Sequence, residues 1–193
     1  SLLNKLVHVH LFHLHQDLFL FLVHLIFDNF LDKNLFNQLY KSLVRPKLEY
    51  GHLLWNPHLK YQQRELETVQ RSATRFVPSL SNKTYPERLK AINLTSLQHR
   101  RLRGDMIEVF KYLHGFYNVS PLPLVLDDSQ RTRGNCLKLK KIRCFTQVRH
   151  SFFPQRVFED WNGLPDNVVD APSLDCFKAR LDKLWNHRLY LLD

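Results

Sequence analysis

A chain of 193 residues in which hydrophobic types make up 44% is long enough to bury one core or two small ones. Five glycines and nine prolines exclude a collagen-like or low-complexity polymer. The formal net charge of +10 indicates an anionic partner. The three cysteines lack metal-type spacing, which predicts free thiols in a reducing compartment.

Residues 1–30 differ from the rest of the chain because they are rich in Leu, Phe and His. The apolar run Leu18–Phe27 is shorter than the roughly 20 residues that a membrane span needs. No signal-peptide pattern is present, so we expect location in the nucleus or cytoplasm and not secretion. The histidines between His8 and His15 have no carboxylate or cysteine to complete a metal site. This leader is either a short hydrophobic helix or a translation of shifted DNA.

Residues 31–115 have the pattern of a small helical bundle with short loops. Asp32 can cap a helix over Lys33–Val44. Pro46 is expected to end that helix or to lie just beyond it, because the residue before proline resists the α region. Leu48–Pro57 is then either a second short helix or a packed turn.

Leu59–Val77 has the clearest amphipathic pattern in the chain. At about 100° per residue, its apolar side chains fall on one face of a helix. Four cations fall within about 60° on the opposite face, which is either a solvated surface or a line of phosphate contacts. These candidates for nucleic-acid binding are Lys60, Arg64, Arg71 and Arg75.

Two more helices are predicted before residue 115. One begins with Pro86 in its first turn and runs to Ile92. The other, Ser96–His114, has capping-box spacing between Thr95 and the glutamine three residues later, and Gly115 should stop it. A basic cluster near its start adds further candidates for phosphate contact, namely Arg100, Arg101 and Arg103.

The remainder divides into a linker at 116–130, a basic module at 131–186 and a tail at 187–193. Residues 131–156 carry eight basic residues and no acidic one, which favours contact with phosphates. Partial alternation at 137–149 predicts a short strand or hairpin. The candidates for nucleic-acid binding in this stretch are Lys138, Lys140, Lys141 and Arg143.

Two helices are predicted in the basic module, over Phe152–Trp161 and after the pair Pro172 and Ser173. The chain is therefore expected to be mainly α. A small helical bundle would be followed by a smaller α or α+β module that contains the short hairpin.

Several segments of the chain carry a family resemblance when they are taken in order. They are Ser42–Gly51, Leu54–Pro57, Arg100–Phe110, Thr132–Asn135, Phe152–Val157, Trp161–Pro165, Ala171–Leu174 and Phe177–Lys183. This series resembles the region after the polymerase core in reverse transcriptases of non-long-terminal-repeat retrotransposons. The retrotransposons that it resembles are LINE-type elements of the jockey-like group.

The resemblance implies a polymerase thumb and the module that follows it. A thumb holds the DNA or RNA primer–template duplex by its backbone. The endonuclease and the aspartates that hold magnesium in a polymerase would then lie in a missing core. The fragment itself is expected to have no cofactor, no metal site and no catalysis. Asp127 and Asp128 form an aspartate pair, but they follow Pro121 and Pro123 and are expected to lie in a solvated loop.

The resemblance also implies a missing palm domain as a partner. Leu53, Leu54 and Trp55 are candidates for the surface that would meet it. If that surface is bare, self-association is expected. No membrane partner is expected.

Three functions remain open from the sequence. The chain is a polymerase fragment that binds nucleic acid, with or without a use in the host, or it is a helical protein-interaction domain. The third alternative is a relic without function. A salt-dependent affinity for nucleic acid separates the first from the second.

Overall fold

The computed structural model describes residues 32–50, 52–53, 56, 59–117, 124–127, 137–146, 149 and 152–189. The fold is mainly α, as the sequence predicts. The described chain divides into two compact units, residues 32–99 and residues 100–189. The leader at 1–30, Leu54, Trp55 and Asp128 lie outside the described residues. The domain limits predicted from the sequence stay a prediction.

The first unit begins with a helical run that is longer than predicted. Helix α1 is Lys33–Leu39, and its first turn is capped by Asp32 Oδ1, which accepts from the Leu35 N–H at 2.6 Å. A π-helical turn over Tyr40–Val44 leads directly into α2, Arg45–Glu49. The expectation that Pro46 ends the helix is wrong. Proline lies in the first turn of α2, where its missing N–H costs no intrahelical hydrogen bond.

The predicted amphipathic helix is α3, Lys60–Ala73, followed by a 3-10 turn at Thr74–Phe76. A second 3-10 turn follows at Pro78–Leu80. Helix α4, Tyr85–Ala91, follows and has proline in its first turn, as predicted.

Both ends of α4 are defined by local hydrogen bonds. At its start, Thr84 and Glu87 form a capping box, in which the Thr84 N–H donates to Glu87 Oε2 at 2.8 Å. At its end, Asn93 adopts a φ of 52°, and the Leu94 N–H returns to the Leu89 carbonyl at 2.9 Å. The core of this unit is shared by all of its helices and contains Phe36, Tyr40, Val44, Leu48, Leu66, Val69, Ala73, Val77, Leu80, Tyr85, Leu89, Ile92, Leu94 and Leu97.

Helix α5 is Leu97–Leu113. Its first turn is capped by Ser96 Oγ, which accepts from the His99 N–H at 3.3 Å, so the cap lies one residue later than predicted. The predicted stop at Gly115 is confirmed, with a φ of 71°. The Phe116 N–H bonds the Lys111 carbonyl at 3.0 Å, which completes a Schellman-type ending.

Among its described residues, the second unit also contains helices α6 at Phe153–Asn162, α7 at Asp166–Val169 and α8 at Leu174–Leu184. A 3-10 turn follows at Asn186–Arg188. Helices α6 and α8 confirm the two helices that the sequence predicts. Helix α7 has only four residues, which are too few to show a helical period in the sequence.

Aromatic side chains form the centre of the second unit. The ring of Phe177 stacks on Phe110, with 4.4 Å between centroids, and lies 6.0 Å from the ring of Trp161. All three side chains are buried, so these aromatics serve the core.

The hairpin predicted at 137–149 is absent from the described residues. A single antiparallel bridge joins Leu139 to Leu126, with hydrogen bonds of 2.8 Å from the Asp127 N–H to the Lys138 carbonyl and 2.7 Å from the Lys140 N–H to the Val125 carbonyl. The other edge of Leu139 is occupied by the side chain of Asn162, which accepts from its N–H and donates to its carbonyl, both at 2.9 Å. No strand can pair there while this side chain holds both groups.

Candidate nucleic-acid interface

Helix α3 separates its apolar and basic side chains onto opposite faces, as the helical pattern predicts. The predicted apolar residues Leu66, Val69, Ala73 and Val77 are buried, and Phe76 packs against the core at partial exposure. The predicted cations Lys60, Arg64, Arg71 and Arg75 are all exposed. Within the described part of the chain, none of these four makes an ion pair with a carboxylate. We call these four residues the α3 stripe.

The α3 stripe is long enough to follow a nucleic-acid backbone. Lys60 and Arg71 are eleven residues apart on one helix, which corresponds to about 16 Å along the axis. Arg75 extends the line into the 3-10 turn. Four cations over such a length match the regular spacing of phosphate charges better than they match a single small anion.

The carboxylate of Glu67 on α3 is directed into the core and not toward the stripe. It is 7% exposed and accepts a 2.5 Å hydrogen bond from the Tyr85 hydroxyl and a 3.0 Å bond from the Leu97 N–H. Gln70 extends this network, since its amide accepts from the Tyr40 hydroxyl at 2.7 Å and donates to the Tyr85 oxygen at 2.9 Å. Burial and the neighbouring Glu67 raise the pKa of Tyr85 far above its ordinary value. Glu67 therefore stabilises the fold and makes no ion pair with the stripe.

A buried cation lies behind the end of the stripe. Arg88 on α4 is 4% exposed, and its guanidinium donates to Thr74 Oγ1 at 3.1 Å, the Lys83 carbonyl at 3.0 Å and the Arg71 carbonyl at 3.5 Å. These acceptors are neutral oxygens, and no ion pair with a carboxylate is found for it among the described residues. Burial lowers the pKa of Arg88, and the like charges of Arg75 and Arg71 lower it further.

The ring of Tyr85 lies close to two guanidinium groups. Arg71 is 5.1 Å and Arg88 is 5.6 Å from the ring centroid. Arg71 therefore lies near the buried positive charge of Arg88. Arg88 was not recognised from the sequence, because no pattern distinguishes a buried arginine from an exposed one.

The basic cluster predicted at the start of α5 does not form an exposed patch. Arg101 is 6% exposed, which removes it from the candidate surface. Arg103 makes a bidentate ion pair with Asp182, at 2.6 and 2.9 Å, and this hydrogen bonding raises the pKa of Arg103. Arg100 is partly buried. These side chains take part in the packing of helices, a role that local sequence does not reveal.

The second basic stretch is fixed at its beginning and exposed afterwards. The indole N–H of Trp161 donates to the Leu137 carbonyl at 2.9 Å, next to the Asn162 contacts with Leu139. Lys138 is partly buried in this fixed part, whereas the other three predicted cations, Lys140, Lys141 and Arg143, are exposed. Lys141 makes a 3.3 Å contact with Glu159, a surface pair of little energetic weight. We call residues 140–146 the basic segment.

No group of three or more metal-binding side chains occurs in the described ranges. Asp127, one of the two residues of the aspartate pair, is held by the hydrogen bond from its backbone N–H to Lys138. None of the helices described is both long and apolar enough to cross a membrane.

The fold and the exposed cations together define a mainly helical, strongly basic protein. No protein-family model matches the chain, and no solved structure matches it. It is similar to an uncharacterized protein of Caenorhabditis elegans, with 32% identity over 129 residues. The matched region covers 65% of this chain and 65% of that protein.

Proposed function

We propose that the chain binds the backbone of a nucleic-acid duplex, as the thumb and post-thumb part of a LINE-type reverse transcriptase. The α3 stripe is the observation that carries this proposal, because its four cations are all exposed, three of them on α3 and Arg75 in the 3-10 turn that follows, and on an ideal α-helix they fall within about 60° of one face. The buried Arg88 adds to its positive field, while the carboxylate of Glu67 is directed away from the stripe into the core. In this proposal the chain binds the duplex and does not catalyse a reaction.

The α3 stripe predicts how charge reversal changes binding. Arg71→Glu combined with Arg75→Glu should weaken duplex affinity at least tenfold near physiological salt. Each lost phosphate contact should also flatten the plot of log affinity against log salt by about one unit. The measurement is fluorescence anisotropy with a labelled duplex at several salt concentrations.

A control with the same change in net charge separates a local contact from a general attraction. Lys178→Glu with Lys183→Glu on α8 takes the net charge from +10 to +6, as does the stripe variant. The control should keep both the affinity and the salt slope near those of the wild type. Equal losses in the two variants would contradict a specific role for the stripe.

A second candidate function is a protein-interaction domain. The observation that favours it is the exposure of three apolar side chains on or just after the run from α1 to α2, namely Leu35, Leu43 and Tyr50. In the polymerase proposal the surface expected to meet the palm domain is a different one, Leu53, Leu54 and Trp55. Duplex affinity that is absent at low salt, together with self-association lost in Leu43→Glu, would favour this second candidate.

A further inference from the structure

One aromatic side chain projects from the basic segment with almost no protein around it. Phe145 is 97% exposed, more than any other large hydrophobic side chain among the described residues. Full exposure of a phenyl ring is unfavourable, since burying such a side chain is worth about 1.5–3 kcal/mol. The ring is therefore available for a partner.

The setting of Phe145 is cationic. Arg143 lies two residues before it, Lys140 and Lys141 lie slightly further away, and residues 137–146 contain no acidic residue. In the described residues, Lys140 and Arg143 make no ion pair. An extended backbone advances about 3.3 Å per residue, so these charges lie within reach of the phosphates beside a base that contacts the ring.

The segment is also held at a defined starting point. Asn162 fixes both backbone groups of Leu139, and Trp161 fixes the carbonyl of Leu137. The ring of Phe145 is consequently presented six residues beyond a fixed anchor and not at the end of a free tail.

We infer that Phe145 is a stacking platform for the bases of single-stranded nucleic acid, with Lys140 and Arg143 contacting the adjacent phosphates. This inference rests on the proposed function and specifies a second kind of substrate, a single strand. Bases in a duplex are already stacked on one another, whereas every unpaired base offers a free face to an aromatic ring.

A membrane surface is a less suitable partner for the same side chains. Interfacial binding grows with the apolar area that is inserted, and among the described residues the exposed large apolar side chain nearest to Phe145 in sequence is Ile142, at 38% exposure. An apolar contact with a protein would also use Phe145, but it would not require an aromatic ring.

The test compares aromatic and aliphatic side chains at position 145 in the full chain. A labelled oligothymidine and a labelled oligouridine serve as the single strands. Phe145→Leu and Phe145→Ala should each weaken binding roughly 5- to 150-fold, while Phe145→Trp should keep it, because stacking is worth about 1–3 kcal/mol per base. Ile142→Ala is the matched control and should bind as the wild type does.

Three results would overturn the inference. Binding by Phe145→Leu equal to that of the wild type would indicate a general apolar contact. Loss of binding to phosphatidylserine vesicles in the variants, with oligonucleotide binding kept, would indicate a membrane surface. Failure of the wild type to bind the single strands, with duplex binding at the expected salt slope, would leave the proposed function standing without this inference. Loss of both duplex and single-strand binding in the wild type would contradict the proposed function as well.

Discussion

Arg88 has an unusual environment for a buried charged side chain. Buried arginines are usually paired, but the acceptors of this guanidinium are a hydroxyl and two backbone carbonyls. One of them, the Arg71 carbonyl, belongs to the last turn of α3, where the helix dipole places partial negative charge. The cation is therefore stabilised by dipoles that do not cancel its charge, and its field reaches the nearby end of the α3 stripe.

Replacing this cation should affect stability and binding together. Arg88→Leu removes the donor from three acceptors and should lower the free energy of unfolding by about 1–3 kcal/mol. Urea unfolding followed by circular dichroism measures the change. Arg75→Ala is the control, because loss of an exposed cation should alter stability by no more than about 0.5 kcal/mol.

For duplex binding the contrast should be reversed, because Arg75→Ala removes an exposed cation of the α3 stripe without a loss of stability. Arg75→Ala should lower the salt slope by about one unit with stability unchanged. Equal stability of Arg88→Leu and the wild type would show that the guanidinium has no structural role.

At the scale of elements, periodicity predicted most of the helices but not their junctions. Helices α3, α5, α6 and α8 follow from apolar residues at helical spacing, because one face of each lies on a core. Pro46 misled the prediction, since the rule for the residue before proline does not foresee a π turn. The hairpin was also wrong, because a side chain distant in sequence, Asn162, replaces the expected strand partner.

For the candidate site, as for the fold, local sequence predicted one part and missed another. The α3 stripe follows from the angular position of residues on a helix, so local sequence was sufficient. Arg101 and Arg103 have the same local appearance, yet one is buried and the other pairs with Asp182, a residue far away in the chain. Arg88 and Phe145 were missed because burial and exposure are decided by tertiary contacts. The retrotransposon resemblance remains a prediction.

The capping box of α4 gives this element a pH dependence. Hydrogen bonds from the Thr84 hydroxyl and N–H lower the pKa of Glu87 below its ordinary value. The carboxylate therefore contributes stability above the pKa of the unfolded chain, and that contribution is lost as the pH falls through the lower, folded pKa. Glu87→Gln keeps the length of the side chain without a titrating group.

The expected outcome is a difference in the free energy of unfolding between the wild type and Glu87→Gln that disappears at acid pH. At neutral pH the wild type should be more stable than Glu87→Gln, and the two stabilities should converge as the carboxylate is protonated. Urea unfolding at a series of pH values measures this, with Glu65→Gln, an exposed carboxylate outside the capping box, as the control. A constant difference between wild type and Glu87→Gln down to acid pH would contradict the assignment.

At the scale of the whole molecule, the two compact units have separate cores and separate basic surfaces. The first unit places four cations on a helix, and the second places its cations on a segment without regular structure. A rigid helix suits a regular duplex backbone, whereas an exposed segment with an aromatic ring suits an irregular single strand. The α3 stripe supplies four exposed cations and the basic segment supplies three.

The division into units predicts that each core can be loosened without the other. Leu66→Ala removes a fully buried side chain from the first unit, and Phe177→Ala removes one from the second. Each change should cost about 2–5 kcal/mol, the usual range for large-to-small substitutions in a core. Hydrogen exchange followed by mass spectrometry should show the lost protection mainly within the altered unit, because local opening follows compact groups of contacts. The two variants act as controls for each other, since both create a cavity and differ only in its place. If each substitution lowers the protection from exchange equally at residues 32–99 and 100–189, the two units open together and do not differ in local stability.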